Sequence, residues 1–260
     1  MQRAFLLACS TLLLSTSAQA ARVLDEASIA INGEQRRYYH LHDGNTNAAT
    51  PILLISGSGC KDFGSRVPSL FESYPAPVNV YFLEKTGIQK GDDGQTCSRA
   101  YREADYLKRR VEDNLAFIAQ APGMKGLGQH SVGVLGFSEG GMVAPIVALR
   151  SPQIGWLATA GAGGLPQSQG FLIFADRGVE PYAKPLSRDI FLKTFAAIMG
   201  ENDDSEPIES GRALRDYFAQ HPSKNFTFIE YANASHALRA PDKNHLPEFI
   251  ASLAKWLKSN

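Results

Sequence analysis

The chain gathers no charge of one sign in any one place. Its 26 lysines and arginines balance 26 aspartates and glutamates, the formal net charge is zero and the pI is near 7. With no basic block and no acidic tail, the sequence offers no electrostatic footprint for nucleic acid or for a cationic partner. Internal repeats are absent, which excludes a solenoid or propeller. Beyond the N-terminus no apolar run is long enough to cross a bilayer. Cysteine is scarce as well. The three are Cys9, Cys60 and Cys97. None forms a C-x-x-C pair or stands beside paired histidines, so neither a dithiol redox motif nor a metal site is expected. What remains is ordinary globular composition, 44% hydrophobic and 20% charged over 260 residues, a length that suits one α/β domain with a sizeable core.

The first twenty residues have a different character. Arg3 supplies a positive charge, Ala4 to Leu14 is nearly unbroken apolar sequence, and Ala18-Gln19-Ala20 is an A-x-A cleavage site. This is the layout of a secretory signal peptide, and its apolar stretch is too short for a membrane span. Removal after Ala20 is expected, with export to the periplasm or beyond. The competing reading is a hydrophobic first helix of the domain. Leu6 to Cys9 loosely resembles a lipoprotein box, but Cys9 has too short an apolar run before it. Export would leave Cys60 and Cys97 in an oxidising compartment, where they can pair. The bond would close a loop of about 36 residues and contribute a few kcal/mol in the chain-entropy model. The alternative is two free thiols.

Along the mature chain, strands alternate with helices. Ala27–Ile31 and Gln35–Leu41 flank Asn32-Gly33, a strong hairpin signal. Pro51–Ile55, Val78–Leu83, Ser131–Leu135, Ile154–Ala160, Phe195–Met199 and Phe226–Tyr231 are short apolar runs suited to buried parallel strands. Tyr101–Ala121 has Leu107, Val111, Leu115 and Ile118 at helical spacing and is predicted as one long amphipathic helix. Further helices are expected at Met142–Leu149, Glu209–Gln220 and Leu246–Leu257. Leu165–Leu192 fits the alternation poorly and is expected to form a small lid. Alternating strands and helices predict a mostly parallel sheet covered on both faces.

Gly136-Phe137-Ser138-Glu139-Gly140 is a G-x-S-x-G pattern between an apolar strand and a helical run. A nucleophilic serine needs a sharp turn there, with no side chain at the flanking positions to obstruct it. A serine hydroxyl is inert without a base. His236, in the loop after the last strand, can reach back over the sheet. Solvent exposure is the expectation for His40, His42, His130, His221 and His245. The histidine in turn needs a carboxylate. Asp203, directly after Phe195–Met199, is the first candidate, with Asp204 and Asp176 as alternatives. The oxyanion donors are expected at the backbone N–H of Glu139 and in the loop after Pro51–Ile55, at Ser58 or Gly59.

In order and spacing these motifs resemble those of the α/β-hydrolase superfamily. The match covers Ile55–Cys60, Glu84–Gly87, Gly136–Gly141, Gly200–Pro207 and Asn233–His236. Ser138-Glu139-Gly140-Gly141 is further similar to esterases and serine peptidases of the dienelactone-hydrolase and prolyl-peptidase-like branches. The resemblance implies a three-layer α/β-hydrolase fold, a Ser138–His236–Asp203 triad and acyl transfer without metal or organic cofactor. Small carboxylic esters are the expected substrates. A peptidase or amidase with the same triad, or a binding protein on the same scaffold, is the alternative. Either monomer or dimer is compatible with the sequence. The chain departs from the pattern at Ser56, where many relatives carry histidine, and at Pro145, inside the helix after the nucleophile.

Overall fold

The structure is a computed structural model that describes residues 21–44, 46, 49–162, 195–200, 208–220 and 226–259. The expected signal peptide, the expected lid and the three candidate acids Asp203, Asp204 and Asp176 lie outside these residues.

A hairpin opens the fold. Strands β1 (Val23–Ile31) and β2 (Glu34–His42) meet at Asn32-Gly33, both in the left-handed region, with φ of 49° and 84°. Such a two-residue turn matches the twist of its strands. There follow β3 (Ile52–Ile55), the short helix α1 (Val67–Leu70), β4 (Asn79–Leu83), α2 (Arg99–Ala104), α3 (Leu107–Gln120), β5 (Val132–Phe137), α4 (Gly140–Arg150), β6 (Ile154–Ala160), β7 (Phe195–Gly200), α5 (Ile208–Gln220), β8 (Thr227–Tyr231) and α6 (Leu246–Ser259).

The eight strands form one sheet in the order β1-β2-β4-β3-β5-β6-β7-β8. Strands β1, β2 and β4 pair antiparallel, and every other pairing is parallel. Side chains alternate across this sheet, as the pleat requires. Leu53 and Ile55 pack with Val134, α3 and α4 on one face. Ile52 and Leu54 pack with Val80, Phe82, α1 and α6 on the other. The central strands are therefore apolar on both faces, which explains the unbroken runs in their sequence.

One expected element is corrected. The helix predicted over 101–121 is two helices broken at Asp105-Tyr106. Ser98 caps α2 by accepting the Tyr101 N–H at 3.0 Å, and the chain leaves helical geometry at Asp105 (ψ 80°) and Tyr106 (ψ 151°). Periodicity alone misses this break because the apolar spacing continues through it. Its local cause is polar: Tyr101 donates its hydroxyl to the Asp105 carboxylate, which lies 4.0 Å from Lys85 and 3.9 Å from Arg110. Helix α4 runs through Pro145, which is buried.

The sheet centre and the helix exteriors should respond differently to truncation. Leu54 is fully buried and Leu149 is 48% exposed. Leu54→Ala is expected to cost about 2–5 kcal/mol in urea unfolding. Leu149→Ala should stay within about 0.5 kcal/mol. Equal effects would contradict the assigned core.

Candidate active site

Ser138 sits where β5 turns into α4, with φ of +51°. A non-glycine residue in the left-handed region is uncommon, and its cost must be met by the surroundings. The turn is held by the Ser138 N–H donating to Ala160 O at 2.8 Å and by the Gly141 N–H donating to Ser138 O at 2.7 Å. Its flanks have no room for side chains. A Cβ on Gly136 would lie 2.4 Å from Gly140 O, and one on Gly140 would lie 2.2 Å from Ile55 O. The pattern read in the sequence thus has a steric cause.

His236 follows β8, in the loop expected from the sequence. Its Nε2 lies 2.8 Å from Ser138 Oγ. The other edge of the ring packs on Gly161, just past β6. A Cβ there would be 2.9 Å from His236 Cε1 and 3.2 Å from Nδ1, and Gly161 has φ of +63°. The contact of Gly161 with the imidazole exists only in the folded sheet. Gly200, the last residue of β7, pairs with Tyr231, the last of β8.

The loop after β3 lies against the serine. A Cβ on Gly57 would be 2.9 Å from Ser138 Cβ and 3.4 Å from its Oγ. Glu139 is the N-cap residue of α4, so its N–H belongs to the open, positive end of that helix. Arg110, buried on α3, joins the two segments. It pairs with the Glu139 carboxylate at 3.0 Å and donates to Ser56 O.

A second buried layer supports this loop, and the sequence reading gives it no role beyond the Glu84–Gly87 motif. Glu84 accepts the N–H groups of Phe63 and Gly64 at 3.2 and 3.1 Å, and that of Lys85 at 3.2 Å. Burial pushes its carboxyl up to about 7 against the effect of those donors. Lys85 donates to the carbonyls of Gly57, at 3.1 Å, and Gly59. Burial, helped by Arg110, brings its ammonium down to about 8. Both values carry the same physics: desolvation disfavours the charged form. Cys60 and Cys97 form a disulfide with Cα atoms 5.4 Å apart. The bond fastens the end of this loop to the 91–97 segment, where Lys61 also bridges Asp93 and the Asp62 N–H donates to Asp92 O at 2.9 Å.

The expected exposure of the other histidines needs correction. His40 and His42 are half-buried. His40 stacks on Tyr81 with centroids 4.0 Å apart and pairs with Asn79 Oδ1 at 2.8 Å. Burial lowers its pKa. His245 stacks on Tyr231 at 4.5 Å. These rings supply apolar faces to the sheet, a role that sequence position alone does not reveal. His130 is exposed as expected, and His221 lies outside the described residues. His40, His42 and Asp25 bring their donor atoms within 4.8 Å of one another. However, His42 Nδ1 accepts the Gly44 N–H at 2.9 Å. The proton of the neutral ring therefore sits on Nε2, which faces Asp25 at 2.9 Å, a hydrogen-bonded pair rather than an open ligand set.

The mixed sheet, the strand-to-helix serine turn and the late histidine loop together define an α/β-hydrolase fold. Solved structures agree. The chain is similar to a putative dienelactone hydrolase from Klebsiella pneumoniae at 15% identity and TM-score 0.64, over 92% of this chain and 100% of the other. It is similar to the serine hydrolase CarC of carbazole degradation at 15% identity and TM-score 0.60, again over 92% and 100%. Est1E from Butyrivibrio proteoclasticus matches at 13% identity and TM-score 0.62, over 90% and 98%. No family model and no curated protein sequence matches the chain.

Gly161→Ala should displace the imidazole and strain the backbone together. Turnover is expected to fall at least about tenfold, since misplacement by about 1 Å can cost 100-fold. Wild-type turnover in that variant would show that Gly161 does not seat His236. Replacing both Cys60 and Cys97 by serine should lower stability by about 2–4 kcal/mol and reduce turnover as the loop loosens. Unchanged turnover in the folded double variant would show that the disulfide does not serve the site.

Proposed function

We propose that the chain is an exported serine hydrolase that cleaves small carboxylic esters through an acyl-enzyme. The observation that carries this reading is Ser138 Oγ standing 2.8 Å from His236 Nε2 on a left-handed strand-to-helix turn. A serine in that setting has a base in hydrogen-bond reach and a helix N-terminus beside it.

In this mechanism His236 Nε2 takes the Ser138 proton as Oγ attacks the ester carbonyl. Asp203 holds the opposite ring nitrogen, so that Nε2 presents its lone pair and the imidazolium is stabilised. The N–H groups of Glu139 and Ser58 receive the oxyanion. Each such donor is worth about 100- to 1000-fold in rate. His236 then protonates the leaving alcohol, and water repeats the cycle on the acyl-enzyme. Every step uses the chain's own side chains and amides. Export rests on the N-terminal sequence and is supported by the disulfide, since such bonds persist in oxidising compartments.

Labelling of the mature protein with a fluorophosphonate probe tests the reading directly. Wild type should label, and Ser138→Ala should not. A panel of esters and amides of graded chain length then separates an esterase from an amidase on the same triad. Correctly folded wild type that fails to label would favour a non-catalytic binding protein on this scaffold.

A further inference from the structure

Lys85 is an unusual group to find under an oxyanion loop. It stands two residues beyond the end of β4, and its side chain is 9% exposed. Its ammonium donates to the carbonyls of Gly57 and Gly59, with Tyr101 Oη at 3.4 Å. A charged group this deep is costly unless its hydrogen bonds are satisfied. Here they are satisfied chiefly by two carbonyls of one short loop, and that loop touches the nucleophile through Gly57.

The consequence follows from peptide geometry. No peptide bond among the described residues is cis, so each C=O points opposite to the N–H of the same unit. Holding Gly57 O on Lys85 therefore fixes the direction of the Ser58 N–H. On one side of the Gly57–Ser58 peptide, Gly57 has no side chain to resist rotation of that unit, and glycine permits a peptide to turn over. A turned Gly57–Ser58 unit would present a carbonyl lone pair where an N–H is needed, replacing attraction with repulsion. No hydrogen bond among the described residues uses the Ser58 N–H.

We propose that Lys85 is the positioning residue of the oxyanion site: its ammonium holds the Gly57 and Gly59 carbonyls so that the Ser58 N–H stays aimed as the second oxyanion donor. This rests on the acyl-transfer reading above. Lys85 acts through the loop and touches no reacting atom.

The charge state of Lys85 makes the role visible in solution. The groups facing it are Tyr101 and Asp105 at the end of α2, Arg110 on α3, Glu139 at the elbow and neighbouring Glu84. Burial and Arg110 lower its pKa, while Asp105, Glu139 and Glu84 raise it, leaving it at about 8. Below that pH the ammonium supplies three protons. Above it, a neutral amine supplies two weaker donors and a lone pair that repels the carbonyls. The hold on the loop is thus present at neutral pH and lost as pH rises.

The test compares wild type, Lys85→Met and Lys85→Arg on a p-nitrophenyl ester, with Ser138→Ala as the blank. Lys85→Met should lower kcat about 10- to 100-fold, part of the value of a full oxyanion donor, with KM changed by less than about threefold. Wild-type kcat should fall from about pH 8 to about pH 10. Lys85→Arg stays charged, so it should recover part of the lost kcat and lack that alkaline fall. A Lys85→Met kcat within about twofold of wild type overturns the proposal. So does a wild-type kcat flat across the alkaline range, which decides the matter even if Lys85→Met fails to fold. If wild type labels with fluorophosphonate but hydrolyses no ester, the substrate reading fails alone, and labelling rates replace kcat in the same comparison. Folded wild type that neither labels nor hydrolyses overturns both.

Discussion

The site depends on one strained turn. Ser138 is held at positive φ between β5 and α4, and it stays there because neighbouring segments leave the chain no alternative. Gly140 lies against the Ile55 and Ser56 carbonyls, Gly136 against Gly140, and Gly57 against Ser138 itself. Three glycines thus bring three backbones together, with the serine at their meeting point. A side chain at any of them would push the segments apart, and the serine could relax to an ordinary strand conformation. Strain of this kind persists only where surrounding structure over-determines it. The parallel register of β3, β5 and β6 does so, pairing Ile55 with Gly136 and Phe137 with Ala160.

Around that turn the protein uses two kinds of support. Apolar packing on both sheet faces fixes the strands, and with them the positions where the β3, β5, β6 and β8 loops emerge. A polar layer then fixes the loops. Arg110 joins Ser56 to Glu139, Glu84 gathers the amides of Phe63, Gly64 and Lys85, and Lys85 holds two glycine carbonyls. Burying so many ionisable groups is costly, and they are tolerated because each meets a fixed partner. The break between α2 and α3 belongs to the same layer, since it lets Asp105 approach Lys85 and Arg110. Continuing the helix would satisfy the local periodicity and sacrifice this contact.

The α/β-hydrolase fold is shared with proteins whose identity to this chain is 13–15%. At that distance the likeness speaks to architecture, and function has to be argued from the site. The Ser138–His236 contact is part of the site that the sequence anticipates. The disulfide is another: the sequence permits Cys60 and Cys97 to pair, and the fold brings their Cα atoms to 5.4 Å.

Short-range pattern determines much of this protein. Apolar runs mark the strands of the parallel core, Asn32-Gly33 marks the hairpin, and G-x-S-x-G marks the elbow, because each depends on a period or a turn written in neighbouring residues. The order of serine and late histidine is legible for the same reason. Other features require groups distant in sequence to be seen together. Gly161 reads as a loop glycine until His236 packs on it, about 75 residues further along the chain. Lys85 and Arg110 acquire their buried partners only when the sheet brings the β3 loop against them. His40 reads as exposed until it stacks on Tyr81. In each case close packing between segments distant in sequence, which no local stretch encodes, gives an ordinary residue its structural role. Sequence alone marked most of the elements and the serine turn; tertiary structure decided which buried charges and glycines surround that turn.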